Sequence, residues 1–205
     1  MGIDKKPLVT IALFAYNQEL YVREAVDSAL EQDYPNLQIL VSDDRSTDGT
    51  FAVMQDCVAK YSGPHKVVVR QNQKNLGMAG HINALLALAQ GDFICWMAGD
   101  DVALPNKVSR LVAPMIADGS LSGTHSYVKE IDSAGRVLGM RRPRVPDIID
   151  SPYQVITNEI EVISQSHAFR RAAWDRFGPL GEAVTNESAV MAFREACIGR
   201  IALIP

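Results

Sequence analysis

Four short apolar segments, each followed by a helical pattern, constrain the fold of this chain more than any other feature of its sequence. The segments are rich in valine, isoleucine, leucine and phenylalanine, and they occupy residues 8–14, 37–41, 66–70 and 92–97. After the second segment, apolar residues recur at helical spacing at Phe51, Met54, Val58 and Tyr61. Buried strands that alternate with helices form βαβ units, in which both faces of a parallel sheet are covered. The sequence therefore predicts an α/β fold with a mostly parallel sheet flanked by helices.

The second half of the sequence is less regular than the first. Residues 123–140 are predicted to form two strands around a turn at 132–135, because Gly135 permits the backbone angles of a tight turn. A loop rich in proline and arginine, two helices and a last strand are predicted to follow at residues 140–147, 167–177, 187–199 and 200–205. No internal repeat or linker is visible in the sequence. We therefore predict a single domain over residues 1–205, built from two unequal halves.

Charge and cysteine content disfavour several classes of protein. The net charge of -4 argues against a nucleic-acid binder, because phosphate recognition needs a basic surface. The three cysteines, Cys57, Cys95 and Cys197, lie far apart in apolar patterns, so we predict buried and reduced thiols. No apolar run approaches the roughly 20 residues of a membrane helix, and the first residues lack the apolar core of a signal peptide. The expected location is cytoplasmic.

Polar residues follow each of the four predicted strands. Amides, carboxylates and small residues are found at 15–17, 42–50, 71–77 and 98–101, and the carboxyl ends of parallel strands meet at one edge, where ligands bind. The adjacent carboxylates Asp100 and Asp101 repel one another, and an acidic edge repels a phosphate anion. A divalent cation that bridges carboxylate and diphosphate relieves both repulsions, and oxygen ligands suit Mg²⁺ or Mn²⁺. We therefore predict that Asp101 binds the metal and that Asp100 accepts hydrogen bonds from ribose hydroxyls.

Other polar residues at this edge have competing interpretations. Asp43 directly follows the second strand, and we predict that it binds a ligand. The next helix begins a few residues later, so a structural role at its start suits Asp44, Ser46 and Asp48. Gly80 belongs to a glycine-containing stretch that is weakly typical of a phosphate-binding loop.

The second half contributes a histidine and three arginines as further candidates. His167 precedes a predicted helix in this half, although none of the four histidines has metal-ligand spacing. The loop arginines Arg141, Arg142 and Arg144 either remain solvated or belong to a mobile flap. Such a flap would bind an anionic acceptor or a diphosphate.

Taken together, the ordered motifs resemble one protein family. They are VTIALFAYN, ILVSDDRSTDGT, NLGMAGHINALLALAQGDFICWMAGDD, FGPL and NESAVMAFREACIGRIALIP, and they cover nearly the whole chain. The sequence resembles the inverting family-2 nucleotide-sugar glycosyltransferases, which have the GT-A fold. The resemblance implies a nucleotide-sugar-binding half at about residues 1–101 and an acceptor half at about residues 102–205. It also implies Mn²⁺ or Mg²⁺ on Asp101 and a donor held by Phe14, Ala15, Tyr16, Asn17, Asp43, Gly80 and Asp100.

The chain departs from the family pattern at three positions. Ala98 and Ile82 stand where many relatives have Asp and Arg, which affects the expected diphosphate contacts. Ser188 stands where the general-base Asp usually follows a Glu, and a serine hydroxyl is a poor base near neutral pH. Its neighbour Glu187 has suitable chemistry, although adjacent helical residues point about 100° apart. Glu187 and Ser188 are therefore the predicted catalytic pair. One alternative is that Glu187 only stabilises the helix, through the favourable interaction of its negative charge with the helix dipole. The other is that turnover is slow or absent.

The implied reaction transfers a sugar from a nucleotide-diphosphate sugar to an acceptor hydroxyl with inversion. A general base deprotonates the acceptor while the metal stabilises the leaving diphosphate. Members of this family commonly build cell-surface polysaccharide on glycan or lipid-linked acceptors. The resemblance thus implies a cytoplasmic protein with peripheral association at the inner face of the membrane. It also implies a catalytic domain that has been shortened at its carboxyl end.

Three other functions compete with sugar transfer. A sugar nucleotidyltransferase typically has a basic, glycine-rich loop after its first strand, whereas this chain has no Lys or Arg there before Arg23. A phospho-receiver domain carries its acidic pair after the first strand, and here the pairs follow the second and fourth. A catalytically silent nucleotide-sugar-binding module is favoured by Ser188. Hydrolysis of the donor in the presence of Mn²⁺ distinguishes that module from an active enzyme.

Overall fold

Ten strands and seven α-helices form within residues 6–157 and 162–205, which the computed structural model describes. The strands are β1 (Val9–Ala15), β2 (Leu37–Asp43), β3 (Lys66–Gln71), β4 (Phe93–Ala98), β5 (Leu121–Ser126), β6 (Val128–Ile131), β7 (Val137–Arg141), β8 (Ile148–Ile149), β9 (Ala168–Arg170) and β10 (Arg200–Ile204). The helices are α1 (Val22–Leu30), α2 (Thr50–Lys60), α3 (Gly77–Leu86), α4 (Lys107–Ala117), α5 (Pro152–Ile156), α6 (Arg171–Phe177) and α7 (Glu187–Ala196). Among these described helices, none has the length and apolar character needed to cross a bilayer.

Eight of the strands form one sheet in the order β3-β2-β1-β4-β9-β5-β10-β8. β1 pairs in parallel with β2 and β4, β2 pairs in parallel with β3, and β5 pairs in parallel with β10. β9 is antiparallel to both of its neighbours, β4 and β5, so β5 and β10 run in the same direction as β1–β4. The predicted mostly parallel sheet is confirmed, and its parallel strands share one carboxyl edge.

Helices cover both faces of this sheet, as the sequence predicted. On one face, α1, α2 and α4 bury residues such as Val26, Met54 and Val112 against β1 and β2. On the other face, α3, α6 and α7 pack around Trp96 and Phe169. Burial of each large side chain contributes about 1.5–3 kcal/mol to folding. The two apolar layers thus hold the strand ends, and the residues that follow them, in fixed positions.

Two sequence predictions in the second half need correction. Residues 168–170 were expected to be helical, but they form β9, whose backbone fills the gap between β4 and β5. Tertiary pairing overrides helical spacing there, and α6 begins only at Arg171. The predicted hairpin exists as β6 and β7, with Gly135 at φ 75°. Its expected first strand, however, is divided at Tyr127, and the preceding part, β5, belongs to the main sheet.

The cysteines agree with the sequence prediction at two positions and differ at the third. Cys57 and Cys95 are buried free thiols, whereas Cys197 is exposed. Cys197 follows the last residue of α7, where the apolar stripe of the helix has already ended. Burial raises the pKa of the Cys95 thiol to about 12, so this side chain stays protonated and behaves as a small apolar group.

Candidate active site at the carboxyl edge of the sheet

Backbone hydrogen bonds join the ends of β1, β2 and β4 at the carboxyl edge. The Gly99 N–H donates to the Phe14 carbonyl at 3.0 Å, and the Asp44 N–H donates to the Ala15 carbonyl at 3.0 Å. A Cβ atom at Gly99 would lie 2.5 Å from the Cβ of Ala15, so only glycine allows β4 to approach β1 this closely. The structure therefore brings the end of β1 next to the residues that precede Asp100.

The turn after β1 exposes Tyr16 and fixes Asn17. The backbone of Asn17 has φ 52°, in the left-handed region that asparagine tolerates better than most residues. Its N–H donates to the Ser46 hydroxyl at 2.9 Å, and its side-chain oxygen accepts from the Thr47 N–H at 2.8 Å. Asn17 thus ties this turn to the loop after β2, whereas Tyr16 is 46% exposed and can stack on a nucleotide base.

Asp43 is fully buried at the end of β2, and hydrogen-bond donors surround its carboxylate. It accepts from the Ser46 N–H at 3.0 Å, from the Ser46 hydroxyl, and from the Gln71 side-chain amide at 2.8 Å. A carboxylate has about four acceptor positions, so these contacts leave room for one more donor, such as the edge of a base. The ligand role of Asp43 stays a prediction: one acceptor position of the carboxylate is left, but the residue is fully buried, so a base would reach it only after a movement of the surrounding loop.

The acidic residues after Asp43 make structural hydrogen bonds. Asp44 accepts from the Asn72 side-chain amide at 2.6 Å, which joins the ends of β2 and β3. Asp48 accepts from the N–H of Thr50, the first residue of α2, at 3.0 Å. Asp44 and Asp48 thus hold the backbone and side chains around them in place, the structural role that the sequence favoured. The Ser46 hydroxyl donates to the Asp43 carboxylate and does not cap the helix.

A buried polar network lies beside these strand ends. His81 Nε2 and the Arg70 guanidinium both lie 2.7 Å from the Ser42 hydroxyl, and Arg70 also donates to the Asn72 side chain at 2.5 Å. Burial lowers the pKa of His81 to about 4, so its imidazole is neutral at pH 7. The sequence analysis missed this network, although a histidine within the apolar stripe of α3 was a signal for it.

Asp101 carries a buried oxygen without a partner. Its Oδ2 makes no hydrogen bond within the part of the chain that the structure describes. Burial raises the pKa of Asp101 to about 6, an increase that Lys107 opposes and the exposed Asp100 strengthens. An unpaired buried carboxylate oxygen is unfavourable, and a bound cation would provide the missing partner.

A metal ion at Asp101 would have few ligands from the protein itself. Across residues 6–157 and 162–205, no group of three or more His, Cys, Asp or Glu side chains is arranged to hold a metal. Mg²⁺ is usually bound by one or two carboxylates together with substrate phosphates and water. The donor set therefore fits a divalent ion that is shared between Asp101 and a nucleotide diphosphate.

Lys107 is a positively charged residue that interacts electrostatically with Asp101. Its ammonium group donates to the Trp96 carbonyl at 3.0 Å. Burial lowers the pKa of Lys107, and the negative charge of Asp101 opposes that decrease. The sequence analysis missed this residue. A lysine in the first turn of a helix opposes the helix dipole, and this local conflict was the available signal.

Glu187 and Ser188 begin α7, whose direction brings them to the same edge. Three residues join α7 to β10, and the two pack together in an apolar cluster through Ala196 and Ile201. The helix therefore runs antiparallel to β10, and its first turn lies toward the carboxyl ends of the parallel strands. The Asn186 side chain accepts from the Ala189 N–H at 3.0 Å and caps this turn.

Gly80 lies inside the helix that was predicted to follow the third strand, and its weak resemblance to a phosphate-binding loop is tested by no observation on this structure. Gly80 is the fourth residue of α3, which begins at Gly77 with φ 69°. The first N–H groups of a helix have no partner within it, and they are suitable donors for phosphate oxygens. The Gly77 N–H already donates to the Asn75 side-chain oxygen at 3.0 Å, so the N–H groups of the next two residues, Met78 and Ala79, are the candidate donors. A diphosphate contact beside Gly80 stays a prediction.

His167 is far less accessible than an acceptor-binding residue would need to be. Its Nε2 lies 2.9 Å from Glu195 Oε2, and both side chains are fully buried. Burial raises the pKa of Glu195, and His167 opposes that increase. Gly123 makes room for this carboxylate, since a Cβ there would lie 1.8 Å from Glu195 Oε2. The sequence analysis missed Glu195, which occupies the apolar stripe of α7.

The three arginines at the end of the hairpin and in the loop after it are exposed. The Arg142 guanidinium lies 5.4 Å from the centre of the Tyr127 ring, and Arg141 ends β7. Arg144 lies in the loop that follows. Their role in a flap over the donor or acceptor stays a prediction.

Comparison with known sequences identifies relatives of this chain. Residues 10–177 match the family described as glycosyl transferase family 2. The Bacillus subtilis (strain 168) protein EpsE is 36% identical over 111 residues, which are 54% of this chain and 39% of EpsE. The Escherichia coli UDP-Glc:alpha-D-GlcNAc-diphosphoundecaprenol beta-1,3-glucosyltransferase WfaP is 31% identical over 125 residues, 61% of this chain and 48% of WfaP. The chain spans less than half of either relative.

A solved structure shows the same architecture. The mannosyltransferase PcManGT from Pyrobaculum calidifontis, in complex with GDP-Man and Mn²⁺, matches with a TM-score of 0.76 at 20% identity. The match covers 98% of this chain and 56% of PcManGT. Similarity at this level of identity shows the fold, and it confirms the predicted GT-A architecture. Since the family match extends over most of its residues, the chain belongs to glycosyl transferase family 2.

Proposed function

We propose that this chain is the catalytic part of an inverting glycosyltransferase that needs Mn²⁺ or Mg²⁺ and uses a nucleotide-diphosphate sugar as its donor. The observation that carries the proposal is the buried Oδ2 of Asp101, which has no hydrogen-bond partner among residues 6–157 and 162–205, at the carboxyl edge of a family-2 fold. PcManGT, which shares this fold, was solved with GDP-Man and Mn²⁺.

The donor is proposed to lie across the ends of β1, β2 and β4. Tyr16 stacks on the base, beside Phe14 and Ala15, and Asp43 accepts one hydrogen bond from its edge. Asp100 accepts from ribose hydroxyls, and the two N–H groups that precede Gly80 in the first turn of α3 donate to the diphosphate. Asn17 supports this arrangement indirectly, because it fixes the turn that presents Tyr16.

Charge at the leaving group is the second element of the proposal. A metal ion on Asp101 would stabilise the negative charge that develops on the departing diphosphate. The Lys107 ammonium group favours the ionised form of Asp101 and thus keeps the carboxylate ready to bind a cation.

The acceptor is proposed to approach from the side of α7. Glu187, in the first turn of this helix, removes the proton of the acceptor hydroxyl as that oxygen attacks the anomeric carbon. A single attack from the face opposite the leaving group inverts the configuration. Ser188 is buried beside it, and its hydroxyl lies 3.5 Å from Glu187 Oε1.

The biological setting is proposed from the relatives. WfaP is named for a lipid-linked diphosphoundecaprenol acceptor, so we propose a glycan or lipid-linked acceptor for this chain and a role in polysaccharide synthesis. Such an acceptor would place the protein in the cytoplasm, in peripheral contact with the inner face of the membrane.

A thermal-shift screen tests the proposed donor class. The purified protein is heated with UDP, GDP, dTDP or CMP, each with and without Mn²⁺. At least one nucleotide diphosphate is expected to raise Tm in the presence of Mn²⁺, because a ligand that binds only the native state stabilises it by mass action. CMP is the control, since it lacks a diphosphate. No stabilisation by any diphosphate would contradict the proposal.

Binding of the metal and nucleotide is also expected to depend on pH. A metal-binding carboxylate must be deprotonated, and the pKa of Asp101 is raised to about 6. Below pH 6 the carboxylate is protonated, so the Mn²⁺-dependent affinity should fall by up to about tenfold per pH unit, and it should be constant above about pH 7. Calorimetry from pH 5 to 8 measures this. Equal Mn²⁺-dependent affinity at pH 5 and pH 7.5 would contradict the role of Asp101.

A second candidate function is a catalytically silent nucleotide-sugar-binding module. Ser188 favours it, because it occupies the position where the family usually has a carboxylate base. Mn²⁺-dependent nucleotide binding without any hydrolysis or transfer of the donor sugar would support this alternative.

A further inference from the structure

The segment that begins with Asp101, the proposed metal ligand, is neither helix nor strand. Residues 101–106, here called the acid loop, connect the end of β4 to α4. At its start, the Asp101 N–H donates to the Ala98 carbonyl at 3.2 Å. A loop needs partners for its remaining backbone groups, and most of those partners belong to a different part of the chain.

Two polar side chains at the end of α1 provide most of these partners, and the Asp33 N–H adds a backbone contact by donating to the Pro105 carbonyl at 2.9 Å. The Ser28 hydroxyl accepts from the Ala103 N–H at 3.0 Å. The Gln32 side-chain amide donates to the Leu104 carbonyl at 2.8 Å, and its oxygen accepts from the Val108 N–H at 3.1 Å. Both side chains are buried. Ser28 and Gln32 thus hold the acid loop at two consecutive residues and at the helix that follows.

Gln32 also replaces a missing helix cap. Asn106, at the N-cap position of α4, makes no capping hydrogen bond with its side chain. The N–H of the second helical residue, Val108, would normally be satisfied by such a cap. Gln32 satisfies it from a distance of 76 residues along the chain. Through this bond, the position of α4, and with it Lys107, depends on the end of α1.

We propose that Ser28 and Gln32 are positioning residues for metal binding, and that they act by fixing the backbone of the acid loop so that Asp101 is held at the carboxyl edge. This inference rests on the proposed function, because it assigns these residues to the same metal site. A metal ion at Asp101 would have few ligands among the side chains that the structure describes, so a small displacement of Asp101 would cost a large part of the binding energy. Loss of a hydrogen-bond partner of the metal ligand itself typically lowers metal affinity by about 10–100-fold, and Ser28 and Gln32 act one step further away through the backbone, so a loss of about tenfold is expected.

A second buried glutamine provides a matched control. Gln38 accepts from the Gln90 N–H at 2.8 Å and donates to the Leu88 carbonyl at 3.2 Å. It thus binds the backbone of a loop with the same two kinds of contact as Gln32. Its contacts lie before β4, at the amino edge of the sheet, whereas the acid loop follows β4 at the carboxyl edge.

The test compares Gln32→Met with Gln38→Met. Affinity for UDP and for GDP is measured by calorimetry with and without Mn²⁺, well below the Tm of each variant. Both variants are expected to have a lower Tm. Only Gln32→Met should lose affinity in the presence of Mn²⁺, by about tenfold, the lower end of the range for direct partners of a metal ligand, with less than a twofold change in its absence. Ser28→Ala, which removes one hydroxyl, should show a smaller loss in the same direction.

Hydrogen exchange gives a readout that needs no ligand. The amides of Ala103 and Val108 should exchange faster in Gln32→Met than in the wild type, and at the wild-type rate in Gln38→Met. Unchanged Mn²⁺-dependent affinity in Gln32→Met, or an equal loss in Gln38→Met, would overturn the proposal. If the wild type itself shows no Mn²⁺-dependent affinity, the proposed function is wrong and this inference is overturned with it.

Discussion

Replacing Glu187 with glutamine is expected to slow sugar transfer by about 10²–10⁴-fold, the usual contribution of general acid–base catalysis, without changing donor affinity. Glu187 is the acidic residue in the first turn of α7, and glutamine keeps its size but cannot take up a proton. Mn²⁺-dependent transfer or hydrolysis of the donor sugar measures the rate, and calorimetry measures donor binding. Glu182→Gln is the control, because Glu182 is an exposed carboxylate a few residues before the helix.

A substitution at Ser188, next to Glu187, distinguishes an active enzyme from a silent binding module. Ser188→Asp should raise transfer if the site simply lacks a carboxylate base at this position. Full activity in Glu187→Gln would show that Glu187 is not the base. An inactive wild type that gains activity with Ser188→Asp would identify the natural protein as the silent binding module.

Truncation of Glu195 is expected to have the largest effect on stability. Glu195→Ala removes one partner of the fully buried pair with His167 and leaves the histidine without its hydrogen bond. Breaking a buried pair in this way typically costs about 3–5 kcal/mol, which should appear as a lower free energy of unfolding in urea titrations. The surface pair of Arg171 and Asp175 at 3.2 Å is the control, since Arg171→Ala should cost less than about 1 kcal/mol.

Replacing both partners tests the reason for that loss. The double variant His167→Phe/Glu195→Leu removes both polar groups and leaves no buried charge unpaired. Apolar replacement of a whole buried pair is often neutral or stabilising, so the double variant should be more stable than Glu195→Ala. A double variant that is no more stable than Glu195→Ala would contradict this account of the pair.

The alternation of strands and helices was predictable because each element has its own apolar period. The first four strands and the shared carboxyl edge followed from that pattern and from the direction of parallel strands. β9 was not predictable in the same way. Its three residues, Ala168–Arg170, pair with two strands that are distant in sequence, and nothing local distinguishes them from the first turn of a helix.

The positions of Asp43, Asp100 and Asp101 at the carboxyl edge were predictable because these residues end or closely follow a strand, and their ligand roles stay predictions. The supporting residues were not, because their partners lie far away along the chain. Gln32 contacts the acid loop, and Glu195 contacts His167, only after the sheet has assembled. Gln32 and Glu195 each occupy a position where the amphipathic pattern of a helix would place an apolar residue. A polar residue at such a position was the local sign of their supporting role.

The most direct test of the metal-dependent site compares nucleotide binding by the wild type and Asp101→Asn. UDP and GDP are titrated by calorimetry at pH 7.5, with and without Mn²⁺. In the wild type, Mn²⁺ should increase the affinity for one of them by at least about tenfold, equivalent to 1.4 kcal/mol. In Asp101→Asn, which keeps the size of the side chain but removes its charge, that increase should be lost while the Mn²⁺-free affinity is retained. An equal increase with Mn²⁺ in both proteins would contradict the assignment of Asp101 as the metal ligand.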